Sequence, residues 1–261
     1  MFVIRGLGSS VALATLLIAT PAFAGHPLGT EDPGTVDPLA LQMEVTGENH
    51  HFADGSETDL GLTLTTGIVP RLDIALAAGY VFLSPDEGTK ENGIGDLELA
   101  LKWNFLEERG NVPGLALKIG STLPTGDEQN GLGSGGYDLS AVLIAGKAVG
   151  NVEFYLNLGY NRIDKTAEGD KSDIYTASFA GNWEMIESLA LVGEVLYESP
   201  GADGEDAPVA ATAGLVWEIA DNFSVDIGGR VGLTDTAPDW SVLAGINYTF
   251  GGVPSEEKRE K

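Results

Sequence analysis

Twelve charged residues sit one position out of step with apolar neighbours: Glu44, Asp59, Asp73, Asp96, Glu98, Lys102, Lys118, Glu153, Glu194, Glu218, Asp226 and Arg230. Nine are acidic and three are basic. Scattered over the whole chain, they form no compact catalytic motif. Placed on one face of many strands, they could line an aqueous passage that favours cations or neutral polar solutes. A second group could meet them from outside the strands. His26, Glu31 and Asp32 lie in a Gly/Pro-rich stretch near the start, a candidate plug whose charges match those of such a wall.

Other chemistries have less support. His50 and His51 are expected in the first long loop, near Glu48, Asp54 and Ser56. A base beside a serine is what a lipid hydrolase or acyltransferase requires, but no spacing here sets a nucleophile against either ring. The chain is therefore not expected to be an enzyme, and neither a metal centre nor a cofactor is expected. There is no cysteine, so disulfides and Cys-based zinc sites are excluded. Fourteen basic residues stand against 39 acidic ones, for a formal net charge of −25, which argues against a nucleic-acid partner.

The elements that must hold these charges are strands. Leu60, Leu62 and Leu64 alternate with Asp59, Gly61 and Thr63; Leu97, Leu99, Leu101 and Trp103 alternate with Glu98 and Lys102. Successive strand side chains point to opposite faces, so each run has one apolar and one polar face. About twelve such runs are expected, near 39–48, 58–68, 71–83, 94–106, 114–123, 138–148, 152–163, 174–184, 188–198, 208–219, 223–233 and 239–250. The sixth is the least regular, because both of its faces are apolar.

The connections alternate in length. Short turns at 68–71, 149–151 and 220–222 are expected on one rim, and polar loops at 85–92, 124–137, 164–173 and 200–208 on the other. Trp103, Trp183 and Trp217 fall near the short-turn rim, Trp240 near the long-loop rim. Two aromatic belts bounding an apolar band are what a bilayer selects. The charged face, rich in glycine (Gly61, Gly79, Gly120, Gly159, Gly214, Gly228, Gly245), cannot be a dry core, since unpaired buried charges cost several kcal/mol each, on the order of ~3–5. The predicted fold is all-β: an antiparallel, up-and-down transmembrane β-barrel of about twelve strands. The glycines are expected to leave open space in its lumen.

Residues 1–24 read as a cleaved signal peptide. Arg5 precedes an apolar core, Val11–Ala19, and Ala22-Phe23-Ala24 is a small-x-small cleavage site that leaves Gly25 first. Residues 25–38 then form a periplasmic segment, either a plug or a floppy leader; 39–250 form the barrel; 251–261 form a charged tail. The alternating Val242, Ala244, Ile246, Tyr248 and Phe250 resemble the closing-strand signal read by the barrel-assembly machinery. Bacterial outer-membrane lipid and lipopolysaccharide are the other expected partners, with a small solute of unidentified chemistry.

Several stretches together resemble a family of outer-membrane transporters associated by name with the meta-pathway of phenol degradation. They are His26-Pro27-Leu28, Glu31-Asp32, Gly34-Thr35, Gly93-Ile94-Gly95-Asp96-Leu97, Leu123-Pro124-Thr125-Gly126-Asp127, Gly131-Leu132-Gly133 and Asn157-Leu158-Gly159-Tyr160. The resemblance implies a barrel with a transport role and supplies no binding residues. Three functions are weighed: a passive channel or uptake porin, a structural barrel with a closed lumen and cation-binding acidic loops, and a lipid-active enzyme.

Overall fold

The computed structural model describes residues 25–166 and 170–251; the expected signal peptide, 1–24, and nearly all of the expected charged tail lie outside them. Thirteen strands follow one another: β1 (Leu41–Phe52), β2 (Gly55–Val69), β3 (Leu72–Pro85), β4 (Glu91–Ile94), β5 (Leu97–Leu106), β6 (Gly114–Leu123), β7 (Leu139–Val149), β8 (Val152–Arg162), β9 (Asp173–Ile186), β10 (Leu189–Glu198), β11 (Val209–Ala220), β12 (Phe223–Gly232) and β13 (Trp240–Phe250). Each pairs antiparallel with its neighbours. β1 pairs with both β2 and β13, so the sheet closes, and only the short β4, paired with β3 alone, keeps one side open.

β4 and β5 are two halves of one barrel strand. Both pair with β3, and the register slips by one residue between Tyr80↔Ile94 and Ala77↔Glu98, at Gly95-Asp96. The result is a closed twelve-stranded barrel with one broken stave. Among the described residues no helix is long and apolar enough to cross a membrane; the strands do the crossing.

The apolar faces point outward. Leu62, Leu76 and Leu101 are 40, 44 and 36% exposed, values no packed core would allow. The tryptophans follow: Trp103 pairs with Leu72 at the start of β3, Trp183 with Val152 at the start of β8, and Trp217 with Leu189 at the start of β10, all at the short-turn rim. Trp240 lies at the opposite rim, its ring 5.0 Å from that of His51.

Three expectations are corrected. His50 and His51 do not lie in a loop: β1 continues through them, and a tight hairpin follows at Ala53-Asp54. Loop length therefore does not divide the rims cleanly, since the short-turn rim carries the longer connection 107–113. Finally, apart from Gly79, the inward glycines named above do not stand open. A Cβ on Gly61 or Gly159 would strike Thr46 or Thr176, and one on Gly146 would strike Pro33.

Candidate functional site

The lumen holds the chain's own amino-terminal segment. Residues 25–38 run around the inner wall rather than across it, from β13 and β12 past β11, β10, β8, β6 and β5 to β3 and β2, and then join β1 at the short-turn rim. A segment without ladder partners must find others for its peptide groups, and the wall supplies them. Glu194 on β10, its side chain fully buried, accepts from Gly29 N–H (3.0 and 2.9 Å), Thr30 N–H (2.9 Å), the Thr30 hydroxyl (2.8 Å) and the Thr212 hydroxyl (2.9 Å). Asn157 on β8 accepts from Glu31 N–H at 2.7 Å and donates to the Glu31 carbonyl at 2.9 Å, as an adjacent strand would. Asn104 donates to the Pro33 carbonyl at 2.7 Å, and Asp73 accepts from Val36 N–H at 2.9 Å.

Side-chain charges close the remaining gaps. Glu31 lies between Lys118 (2.7 Å) and Lys102 (3.4 Å). Burial pushes its carboxyl up, but the two ammonium groups outweigh burial and hold it at about 2. His26 Nδ1 is 2.5 Å from Asp226. Burial disfavours the charged ring, yet the hydrogen bond and charge of Asp226 raise its pKa overall, helped by Glu48 and Glu44. Asp32 accepts from Gly34 N–H and holds a turn of the segment.

An apolar contact was not foreseen. Leu28 packs on Tyr155, Ala180, Val192 and Val216, an apolar patch inside the lumen on β8 to β11. Ile144 on β7 is also buried and inward, which accounts for the apolar inner face of that strand. At roughly 25 cal/mol per Å² of apolar surface, burying one leucine contributes about 2 kcal/mol to seating the segment.

The twelve sequence-nominated wall residues divide by role. Glu44, Asp73, Lys102, Lys118, Glu194 and Asp226 meet the segment directly. Arg230 reaches the Thr212 hydroxyl at 3.0 Å and lies 3.6 Å from Glu48 and 3.7 Å from Glu194. Glu153 accepts from the Tyr155 hydroxyl at 2.5 Å. Asp59 lies 3.6 Å from His50, and Glu98 lies beside Gly120, nearer the long-loop rim. Glu218 faces inward at the short-turn rim, opposite Ser224. Asp96 does something else: at the break in the stave it accepts from Gly126 N–H (2.8 Å) and Ser134 N–H (2.7 Å), anchoring the loop 124–138. Asn104, Asn157, Thr212 and Leu28 were not among the expected site residues, because a neutral polar side chain or a single leucine carries no periodic signal.

The closed antiparallel barrel is matched by known proteins. Residues 24–250 match the family described as "Putative MetA-pathway of phenol degradation". The chain belongs to this family. Among solved structures, the COG4313 outer membrane channel from Pseudomonas putida F1 matches 84% of this chain and 100% of its own, with a TM-score of 0.67 at 15% identity. The NanC porin matches 79% and 98%, with a TM-score of 0.58 at 9% identity. The KdgM porin in complex with disordered oligogalacturonate matches 82% and 100%, with a TM-score of 0.53 at 10% identity. What this chain shares with them is the barrel fold. No curated protein sequence matches the chain.

Proposed function

We propose that the protein is a passive channel of the bacterial outer membrane, with the short-turn rim in the periplasm and with residues 25–38 narrowing the lumen. The observation that carries this reading is the pairing of the segment's backbone with Glu194, Asn157, Asn104 and Asp73. A floppy leader would not recruit buried side chains from strands all around the wall. Twelve strands lie between barrels filled by side chains, at about eight, and open porins, at about sixteen, so a partial filling leaves a narrow bore. The acidic wall supports a preference for cationic or neutral solutes. Barrel-assembly machinery and lipopolysaccharide are the partners expected for a barrel in this membrane.

Planar-bilayer recording of the purified protein tests the proposal. A small, cation-preferring conductance is expected, with a severalfold rise when residues 25–38 are deleted. Anion preference, or silence in both proteins, would overturn it.

One observation bears on the catalytic alternative. His50 Nδ1 lies 2.8 Å from the Ser241 hydroxyl, with Glu48 3.4 Å and Asp59 3.6 Å from Nε2. The order resembles a Ser–His–carboxylate array. However, all four residues lie on ladder-paired strands, whose N–H groups are committed to neighbouring carbonyls and offer no oxyanion donors. We read the array as a wall hydrogen-bond network; phospholipid hydrolysis that Ser241→Ala abolishes would reverse that reading.

A further inference from the structure

The start of the segment rests in a seat that is short of a cation. A side-chain carbon on Gly25 would lie 3.1 Å from Oε2 of Glu44, so this carboxylate abuts the Gly25 backbone. The His26 N–H is directed at the same carboxylate. The His26 ring lies between Asp226, at 2.5 Å, and Glu48, at 3.6 Å. The wall behind is shaped to this end of the chain. A Cβ on Gly214 or Gly228 would come within 2.6 or 2.8 Å of Pro27, and one on Gly245 within 2.6 Å of the His26 ring. Any larger residue at these positions would push the segment off.

Charge does not balance in this seat. Glu44, Glu48 and Asp226 converge on the His26 imidazole, and of the three Glu48 has further partners, Arg230 at 3.6 Å and the His50 ring at 3.4 Å. The nearby wall cations are engaged elsewhere: Lys102 and Lys118 hold Glu31, and Arg230 is divided between Glu48 and Glu194. Among the described residues, neither Glu44 nor Asp226 forms an ion pair with lysine or arginine.

We propose that the missing cation is the α-ammonium of Gly25, and that the lumen face at Glu44 is a primary-ammonium site filled only after the leader is removed. Removal after Ala24 adds water across the Ala24–Gly25 amide. Ala24 leaves as a carboxylate, and the Gly25 nitrogen, an uncharged single donor in the precursor, becomes an ammonium with three donors, protonated at neutral pH because such groups titrate near ~8. Processing thus creates the charge that locks the segment in place. The inference rests on the reading of residues 25–38 as a lumen constriction, and it adds what holds the tip.

The test uses protein purified from outer membranes. One variant is Glu44→Gln. A second inserts Ala-Ser after Ala24, which moves the ammonium two residues away and leaves every wall residue intact, so that it does not depend on Glu44→Gln folding. The Gly25 amine is labelled by reductive methylation in detergent at neutral pH and read by mass spectrometry of the terminal peptide. Losing a charge-assisted contact should speed labelling by about tenfold or more in Glu44→Gln, and both variants should flicker to larger conductance states. The inference fails if Glu44→Gln labels at the wild-type rate, if the extended chain is as quiet as wild type, or if the mature protein does not begin at Gly25. If deletion of residues 25–38 widens the channel while both variants behave as wild type, the constriction stands and the ammonium seat falls. If that deletion changes nothing, the underlying reading falls first.

Discussion

The two halves of the lumen use the same residue types for opposite purposes. In the short-turn half, Glu194, Asp73 and Glu31 each have named partners and the space between them is occupied. In the long-loop half, Glu57, Asp59, Glu98 and Glu198 point inward from the ends of strands that the segment meets only nearer the short-turn rim. A carboxylate in the first half is a clamp, and one in the second is a source of field. The difference is set by whether a polar backbone lies opposite, not by the residue.

Glu194 and Glu198 make the contrast on one strand. Glu194→Ala removes an acceptor of four bonds to the segment and the Thr212 bond, each charge-assisted bond being worth about 1.5–3 kcal/mol. It also leaves Arg230 with Glu48 and the Thr212 hydroxyl. The segment should be released almost completely, giving the conductance of the 25–38 deletion. Glu198→Ala, which touches nothing in the segment, should leave the conductance near wild type. Equal behaviour of the two variants would mean that the halves are not distinct.

Acidity should sharpen the comparison next. Glu31 titrates from an ordinary 4.5 down to about 2 when seated, so its contribution is complete above 4.5 and is lost as pH falls through 2. His26 shifts the other way: its seated pKa is raised above 6.5, so its contribution is complete below 6.5 and is lost as pH rises through the seated value. Seating is therefore strongest between about 4.5 and 6.5, and open-state noise should grow on either side. Glu31→Gln should abolish the acid limb and leave the alkaline one, and His26→Gln should do the reverse. A flat record from pH 3 to 9 would remove these pairs from the mechanism.

Much of the barrel was legible because a bilayer imposes a strict two-residue period over about ten residues per strand. Where strands leave the hydrocarbon, the outward face is free to be polar and the period fades. Asn49 and His51 face outward at the long-loop rim, so the first hairpin read as a loop. The charges of the plug were legible as candidates, since His26, Glu31 and Asp32 stand out in a Gly/Pro-rich stretch. Their charged partners Asp226, Lys102 and Lys118 were legible as wall residues, but the pairings were not, and the role of Asn157, 126 residues from Glu31, was not. The glycines read as empty space for a related reason. A sequence shows that a wall position lacks a side chain, but not that Pro27 or Pro33 fills the gap.

Leu28 offers a milder way to loosen the same half. Truncating it to alanine exposes the patch of Tyr155, Val192 and Val216 to water and removes about 2 kcal/mol of apolar burial, while every polar clamp remains. The segment should open more often, with the ratio of time in the large state to time seated raised by up to roughly thirtyfold, since 1.4 kcal/mol is about a factor of ten. Single-channel dwell-time analysis measures this directly. An effect as large as that of Glu194→Ala would mean that apolar packing, not the carboxylate, does most of the holding.

The smallest effect is expected from the outer half. Asp59 is partly open to water and close to His50 and the inward-facing Glu57. Its field acts on passing ions through solvent, where the interaction is screened over about 8 Å at physiological salt. Asp59→Asn should therefore leave conductance amplitude and gating untouched and lower cation over anion selectivity by less than about twofold, with the loss vanishing at 1 M salt, where screening shortens to about 3 Å. Reversal potentials at low and high salt resolve this. A change in gating would show that the segment reaches farther toward the long-loop rim than its bonds indicate, and a selectivity loss that persists at 1 M would assign Asp59 a direct binding role instead of a long-range one.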